Sequence, residues 1–400
     1  MQFFAKLSAM INKNIINGGL QMKKVISFVL ILFMLSLPAC KSDRTESVSK
    51  ETKKEDPDHI SITVLGDNLM HMPVINSGKQ ADGSYDYSHI FTELQPYIND
   101  TDIAVIGQET VFAGESRGYS GYPLFNSPSD VGKSLVNEGF DIVLHASNHT
   151  MDQGSTGVEN TLKFWDNYPQ IKVLGINKSK DDAAGIKTFE KKGVKFGVLN
   201  YTYGTNGIPV PSGKDYLVDV IDENLIKREV YMSEKATDFT IAFMHWGEED
   251  MSTPSEFQKE LAQKMCDWGV DLIVGSHPHV IQGAQWLEGK NGNKTFVYYS
   301  LGNFVSRQIK PQNLLGGIAD IKLAIKDGKP TIENACFKPI VTHYNKGCTD
   351  FCVYPLEKYS DKLADVHGII DFGHKMSISG LEKILYNTFD GFDENLIDYK

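Results

Sequence analysis

Short apolar runs that each end in polar residues of metal-ligand type recur along this chain. Ile60 to Leu65 ends at Gly66-Asp67, Ile103 to Ile106 at Gln108-Glu109, and Ile142 to Leu144 at Ser147-Asn148-His149. Later, Phe239 to Met244 ends at His245-Trp246-Gly247, Leu272 to Val274 at Ser276-His277-Pro278-His279, and Phe296 to Tyr299 at Gly302-Asn303. Continuous rather than alternating apolar residues suit strands buried on both faces, as in a sheet covered by helices. Helix signals lie between the runs. Thr253-Pro254-Ser255-Glu256 offers a capping residue, a proline at the first helical position and a capping-box glutamate. Phe257, Leu261, Met265 and Trp268 follow at helical spacing, and Gly269 can end the helix. Ser127-Pro128-Ser129-Asp130 opens a second helix through Leu135 and Val136, and a third is expected around Ile378 to Tyr386. Strands alternating with helices predict α/β layers, with the ligand-type residues converging on the rim at the strand C-terminal ends.

The first sixty residues read as address and tether. Met22-Lys23-Lys24 precedes an apolar stretch from Val25 to Met34, and Leu37-Pro38-Ala39-Cys40 follows. Two lysines, an apolar stretch too short to span a bilayer, and small residues before a cysteine are the order of a secretory signal. Leu37 to Cys40 resembles a bacterial lipobox, which implies cleavage before Cys40, acylation of its thiol and a cell-envelope lipoprotein outside the cytoplasm. Residues 1–21 fit no part of such a signal and are read as a misassigned start, residues 22–39 as the signal peptide, and residues 40–58 as a lipidated cysteine with a solvated tether. A main domain is expected over residues 59–320, with a C-terminal extension over 321–400 packed on it. Cys348 and Cys352 are a candidate disulfide outside the cytoplasm, with Cys336 as a competing partner, and Cys266 reads as a buried thiol.

Asp67, Glu109, Asn148, His245, His277 and His279 form an oxygen-and-imidazole set without thiolate, suited to Mn, Fe or Zn. Such a set can hold one or two divalent ions. With 51 acidic against 40 basic side chains the net charge is −11, which excludes nucleic acid as a partner and means that an anionic substrate must be held locally.

The order Gly-Asp, glutamate after a strand, Asn-His, His-Trp-Gly, His-Pro-His and Tyr299-Ser300-Leu301-Gly302-Asn303-Phe304 resembles the CapA (PgsA) family of bacterial poly-γ-glutamate capsule proteins. Its domain is similar to the calcineurin-type metallophosphoesterases, which implies a layered sandwich of mixed β-sheets flanked by helices. The resemblance runs from about Ile60 to Gln308. By it, Asp67, Glu109, Asn148, His245, His277 and His279 are metal ligands, and His149 contacts substrate and protonates the leaving group. The phosphoesterases carry a histidine two residues after the first aspartate, where this chain has Leu69; His71 lies four residues on. One metal position therefore lacks a ligand.

Trp246 is a candidate for stacking on substrate, with packing an equal alternative; Arg307 is a candidate for meeting an anionic group, and Asn303 for contacting substrate. His145, on a strand, is expected to serve the core. The resemblance implies a membrane-anchored component in synthesis, export or attachment of an anionic surface polymer, working with other membrane proteins of polymer synthesis. A metal-dependent phosphoesterase or amidase unrelated to capsule and a non-catalytic scaffold are the alternatives.

Overall fold

A computed structural model describes residues 56–399. The start-site, signal and Cys40 expectations, and most of the tether, lie outside the described residues. Within these described residues, fourteen strands form two sheets. In the first, β1 (His59–Asn68), β2 (Ile103–Gln108), β3 (Ile142–Leu144) and β4 (Lys172–Leu174) run parallel in that order. On the other side of β1 lie β12 (Leu315–Lys326), β13 (Lys329–Asn345) and β14 (Thr349–Pro355), all antiparallel to their neighbours. The short β11 (Asn303–Val305) pairs with the end of β1. In the second sheet β6 (Val194–Thr202), β7 (Phe239–His245), β8 (Leu272–Ser276) and β10 (Lys294–Tyr298) are parallel, edged by antiparallel β5 (Lys187–Lys191) and β9 (Ala284–Glu288).

The expected layered α/β sandwich is therefore present, and the six apolar runs are β1, β2, β3, β7, β8 and β10. β7 shows why its run is unbroken. Ile241 and Phe243 join Val64, Val198 and Phe296 in the core between the sheets. Their neighbours Ala242 and Met244 pack outward against Ile226, Val230, Leu261 and Met265, on helices that cover the second sheet. Successive side chains thus enter two apolar layers, and the one polar side chain inside the run, Thr240, is accommodated by hydrogen bonds to Ser233 and Glu234.

Among the described residues five helices have nine to fourteen residues: α1 (Asp130–Glu138), α2 (Gly154–Trp165), α3 (Glu223–Ala236), α4 (Glu256–Trp268) and α5 (Ile378–Phe389). Helix α4 starts later than the Thr253-Pro254 signal predicts. Ser255 is its N-cap, and a capping box forms with Gln258 rather than with Glu256. Its buried face is Leu261, Ala262, Met265 and Cys266, which leaves Phe257 46% exposed, so the expected apolar stripe is wrong at its first position. Gly269 ends the helix in the left-handed conformation at φ 117°.

β12 runs through residue 320, so the C-terminal segment continues the first sheet, and Lys338 is held by both Asp320 and Asp398. Cys266, Cys336, Cys348 and Cys352 are all free. Cys352 lies three strand steps beyond Thr349 in β14, about 10 Å at the usual rise, which is too long a reach for a disulfide across that segment. No helix among the described residues is long and apolar enough to cross a membrane.

Candidate metal centre

Backbone close approaches bring the strand ends together. Gly66 lies so near Gly302 that a Cβ on it would sit 2.0 Å from the Gly302 carbonyl oxygen, and this approach lets the Asp67 N–H donate to that oxygen at 3.1 Å. β11 is thereby pinned beside Asp67, with Asn303 in register opposite it. After β3, the Ser147 hydroxyl donates to the Glu109 carbonyl at 2.8 Å, tying the Asn148-His149 turn to the end of β2. Asn200 of β6 accepts from Ala146 N–H and donates to the Phe243 carbonyl, joining that turn to the second sheet.

The six expected ligands meet at this junction. His245 Nδ1 is 3.6 Å from Asp67 Oδ1, and its Nε2 is 4.0 Å from Glu109 Oε1 and 2.8 Å from Asn148 Oδ1. His279 places Nδ1 3.8 Å from Asp67 Oδ2 and Nε2 3.7 Å from Glu109 Oε1. His277 donates its backbone N–H to Asp67 Oδ2 at 3.0 Å, and its ring centroid lies 4.8 Å from that of His245. Both histidines of His277-Pro278-His279 have positive φ, 96° and 56°, a costly conformation for residues with a Cβ that fixes both rings toward the junction.

Two orphaned groups point to a cation. Both carboxylate oxygens of Glu109 are buried without a hydrogen-bond partner, and so is His277 Nδ1. An unpaired buried carboxylate costs several kcal/mol, roughly, unless neutralised. Burial drives the carboxyls of Asp67 and Glu109 upward, and the neighbouring Asp67 charge adds to the shift on Glu109. Burial also pushes His277 down to about 3, His279 to about 4, and His245 far below its usual value. Neutral imidazoles packed around an unsatisfied carboxylate are the arrangement a divalent ion would complete. Asp67, Glu109 and His279 each offer an atom within 4.8 Å of the others, and so do Glu249, His277 and His279. The residues therefore fit a hard or borderline divalent ion.

Several supports escaped the sequence reading. Asp152 Oδ2 lies 2.8 Å from His149 Nδ1, and the His149 Nε2 stands 3.9 Å from Glu109 Oε1. Asp152 follows His149 by three residues, a spacing open to inspection. Glu249 was in view beside His245-Trp246-Gly247. Tyr203, whose ring lies 4.5 Å from that of His277, follows a strand that the sequence reading did not predict. His71 does not replace the missing histidine at Leu69. Its Nδ1 accepts the Arg307 backbone N–H at 3.3 Å, and Leu69 is buried with its N–H donated to the Val305 carbonyl.

Two expected substrate contacts are corrected. Trp246 is fully buried in the outer core of the second sheet, donating Nε1–H to the Tyr299 carbonyl at 2.9 Å, so packing is its role. Asn303 is also buried: its Oδ1 lies 2.9 Å from His279 Nδ1, and its Nδ2 donates to the His279 and Asn313 carbonyls and to Gln308. It orients His279 so that Nε2 faces Glu109. Arg307 is half-buried on the same rim. His145 accepts from Trp165 Nε1–H at 2.9 Å inside the core, and burial pushes its pKa down to about 3.

Fold and site define a two-sheet α/β protein with a buried carboxylate–imidazole centre at the strand C-terminal ends. A profile of the family described as "Bacterial capsule synthesis protein PGA_cap" matches residues 61–308, more than half of the chain, and the chain belongs to that family. It is 26% identical over 295 residues to "Capsule biosynthesis protein CapA" of Bacillus anthracis, covering 71% of this chain and 69% of the relative. It is 26% identical over 300 residues to "PGA biosynthesis protein CapA" of Bacillus subtilis (strain 168), covering 72% and 73%. Among solved structures, it is similar to the calcineurin-like phosphoesterase YfkN from Bacillus subtilis, at 15% identity and a TM-score of 0.40, covering 83% of this chain and 98% of that one.

Proposed function

We propose that this chain is an envelope-anchored protein that acts on an anionic surface polymer of the poly-γ-glutamate type, through a divalent metal held at the junction of its two sheets. The observation that carries this reading is the Glu109 carboxylate, buried with both oxygens unpartnered and three imidazoles within 4.0 Å. Asp67, Glu109, Asn148, His245, His277 and His279 would hold the ion, Mn, Zn or Fe by the chemistry of the donors. Such an ion supplies Lewis acidity toward a phosphoryl or acyl oxygen.

The chain's own residues do the rest. Asp152 accepts from His149 Nδ1–H and so leaves Nε2 directed at the centre, where it can take a proton from the attacking group and pass it to a leaving group. Asn303 fixes the His279 tautomer in the same way. The family membership and the capsule-biosynthesis names of its relatives support the polymer as substrate. The Cys40 lipobox supports the anchor. The test is a strain carrying Glu109→Gln in place of the native gene. Loss of surface polymer with the protein still present at wild-type level is expected, and intact polymer would favour a scaffold instead.

A further inference from the structure

Beside the centre stands a cationic group that no described residue neutralises. Arg307 follows β11 by two residues, on the rim that carries Asp67 and Asn303. Its guanidinium carbon lies 4.3 Å from the centroid of the Phe372 ring, in the C-terminal segment. Its Nε is buried without a partner. No carboxylate lies within ion-pair distance of it among the described residues, although the chain carries 51 acidic side chains. A guanidinium held on an aromatic face presents its terminal nitrogens edge-on, which is the geometry that receives two oxygens of a carboxylate or phosphate.

His71 holds this arginine in place. Its Nδ1 accepts the Arg307 backbone N–H at 3.3 Å, and its ring is also hydrogen-bonded to the Leu69 backbone, so both sides of the imidazole are tied to the chain around Arg307. The His71 ring meets Phe125 edge-on at 5.4 Å, and Phe125 meets His149 edge-on at 4.6 Å. One continuous wall therefore runs from Arg307 through His71 and Phe125 to the proton-donating histidine.

We propose that Arg307, positioned by His71 and backed by Phe372, forms an oxyanion subsite that receives a second anionic group of the substrate beside the metal centre. This rests on the metal reading for its place in the reaction, but not for its own chemistry. It assigns the substrate a carboxylate or phosphoryl group near the reacting bond, as a polyanion would supply, and it gives the C-terminal segment a part in recognition.

The test is calorimetric titration of the purified full-length chain, incubated with Mn2+, with inorganic phosphate and separately with glutarate. Wild type should bind at least one of them. Arg307→Gln should weaken that binding about tenfold or more, and Arg307→Lys should recover part of it, because a charge-assisted pair is lost and then partly replaced. Phe372→Leu, which keeps the charge and removes its backing, should fall between, and it decides the matter if Arg307→Gln fails to fold. Tighter phosphate assigns a phosphoryl group, and tighter glutarate a carboxylate. Wild type binding neither, or Arg307→Gln and Phe372→Leu both binding within about twofold of wild type, overturns the subsite. Metal content is measured on the same samples: a chain without metal whose anion binding still depends on Arg307 would refute the metal reading and leave the subsite standing.

Discussion

Asp152 and His149 are joined by a 2.8 Å contact from Oδ2 to Nδ1, and the same carboxylate oxygen accepts the Phe125 backbone N–H at 2.7 Å. The two bonds hold the carboxylate still, so that it fixes one tautomer and one orientation of the imidazole. In Asp152→Asn the amide can turn its NH2 toward Nδ1 and reverse the tautomer. Turnover of a generic phosphodiester should then fall about 10- to 100-fold in Asp152→Asn and about 100- to 10,000-fold in His149→Ala. Metal content should be unchanged in both, since neither residue is among the expected ligands. A loss of metal in Asp152→Asn would contradict this role.

Trp246 predicts the opposite pattern. Its ring fills the layer between the second sheet and its helices, next to Tyr299 at 6.4 Å between centroids. Trp246→Phe should lower stability by about 1–3 kcal/mol in denaturant titration, and leave metal content and substrate affinity within about twofold. A selective rise in KM would restore it as a substrate contact.

The parallel strands were legible because both of their faces are buried: a run such as Phe239 to Met244 has no polar parity to confuse it. The long β12–β13 hairpin was not legible, for the converse reason. The first half of β13 is mostly exposed, is interrupted by Pro330, and carries Lys329 and Glu333, so its pattern is that of a polar loop. Site residues were visible wherever they close an apolar run, as Asp67, Glu109 and His245 do. Asn303 was visible too, but its duty was not, because the bond from its side chain to His279 spans 24 positions. Tyr203 owes its importance to what it touches and is not marked by its local sequence, whereas Asp152 could have been picked out only by its spacing of three from His149.

His367 makes stability depend on pH. Its Nδ1 accepts the Ile369 N–H at 3.2 Å and its Nε2 lies 3.1 Å from the Thr342 carbonyl, a pairing only the neutral ring satisfies. Burial pushes it down to about 4. A depressed histidine binds fewer protons folded than unfolded. Its contribution is therefore present above the unfolded value of about 6.5 and is lost as pH falls toward the folded one. Between pH 7.5 and 5 this amounts to about 2 kcal/mol. Urea unfolding at both pH values should show a fall smaller by about that amount in His367→Gln. An equal fall in variant and wild type would exclude it.

Gly66→Ala tests the close approach that assembles the rim. Its Cβ would meet the Gly302 carbonyl at 2.0 Å, and both partners are backbone, so β11 must move and carry Asn303 with it. A loss of about 1–3 kcal/mol, accompanied by weaker metal retention, is expected from unfolding curves and elemental analysis. Unchanged stability would show that β11 is free to shift.

The central claim is that the buried Glu109 carboxylate and its imidazole neighbours form a metal site. Elemental analysis of the purified full-length chain, after incubation with Mn2+, Zn2+ or Fe2+ and gel filtration, tests it directly. About one equivalent or more of one metal is expected, lost in Glu109→Gln and in His279→Ala, with a melting temperature that falls on chelation because a ligand of the folded state is removed. Less than about a tenth of an equivalent of every metal, with melting unchanged by chelator, would contradict it.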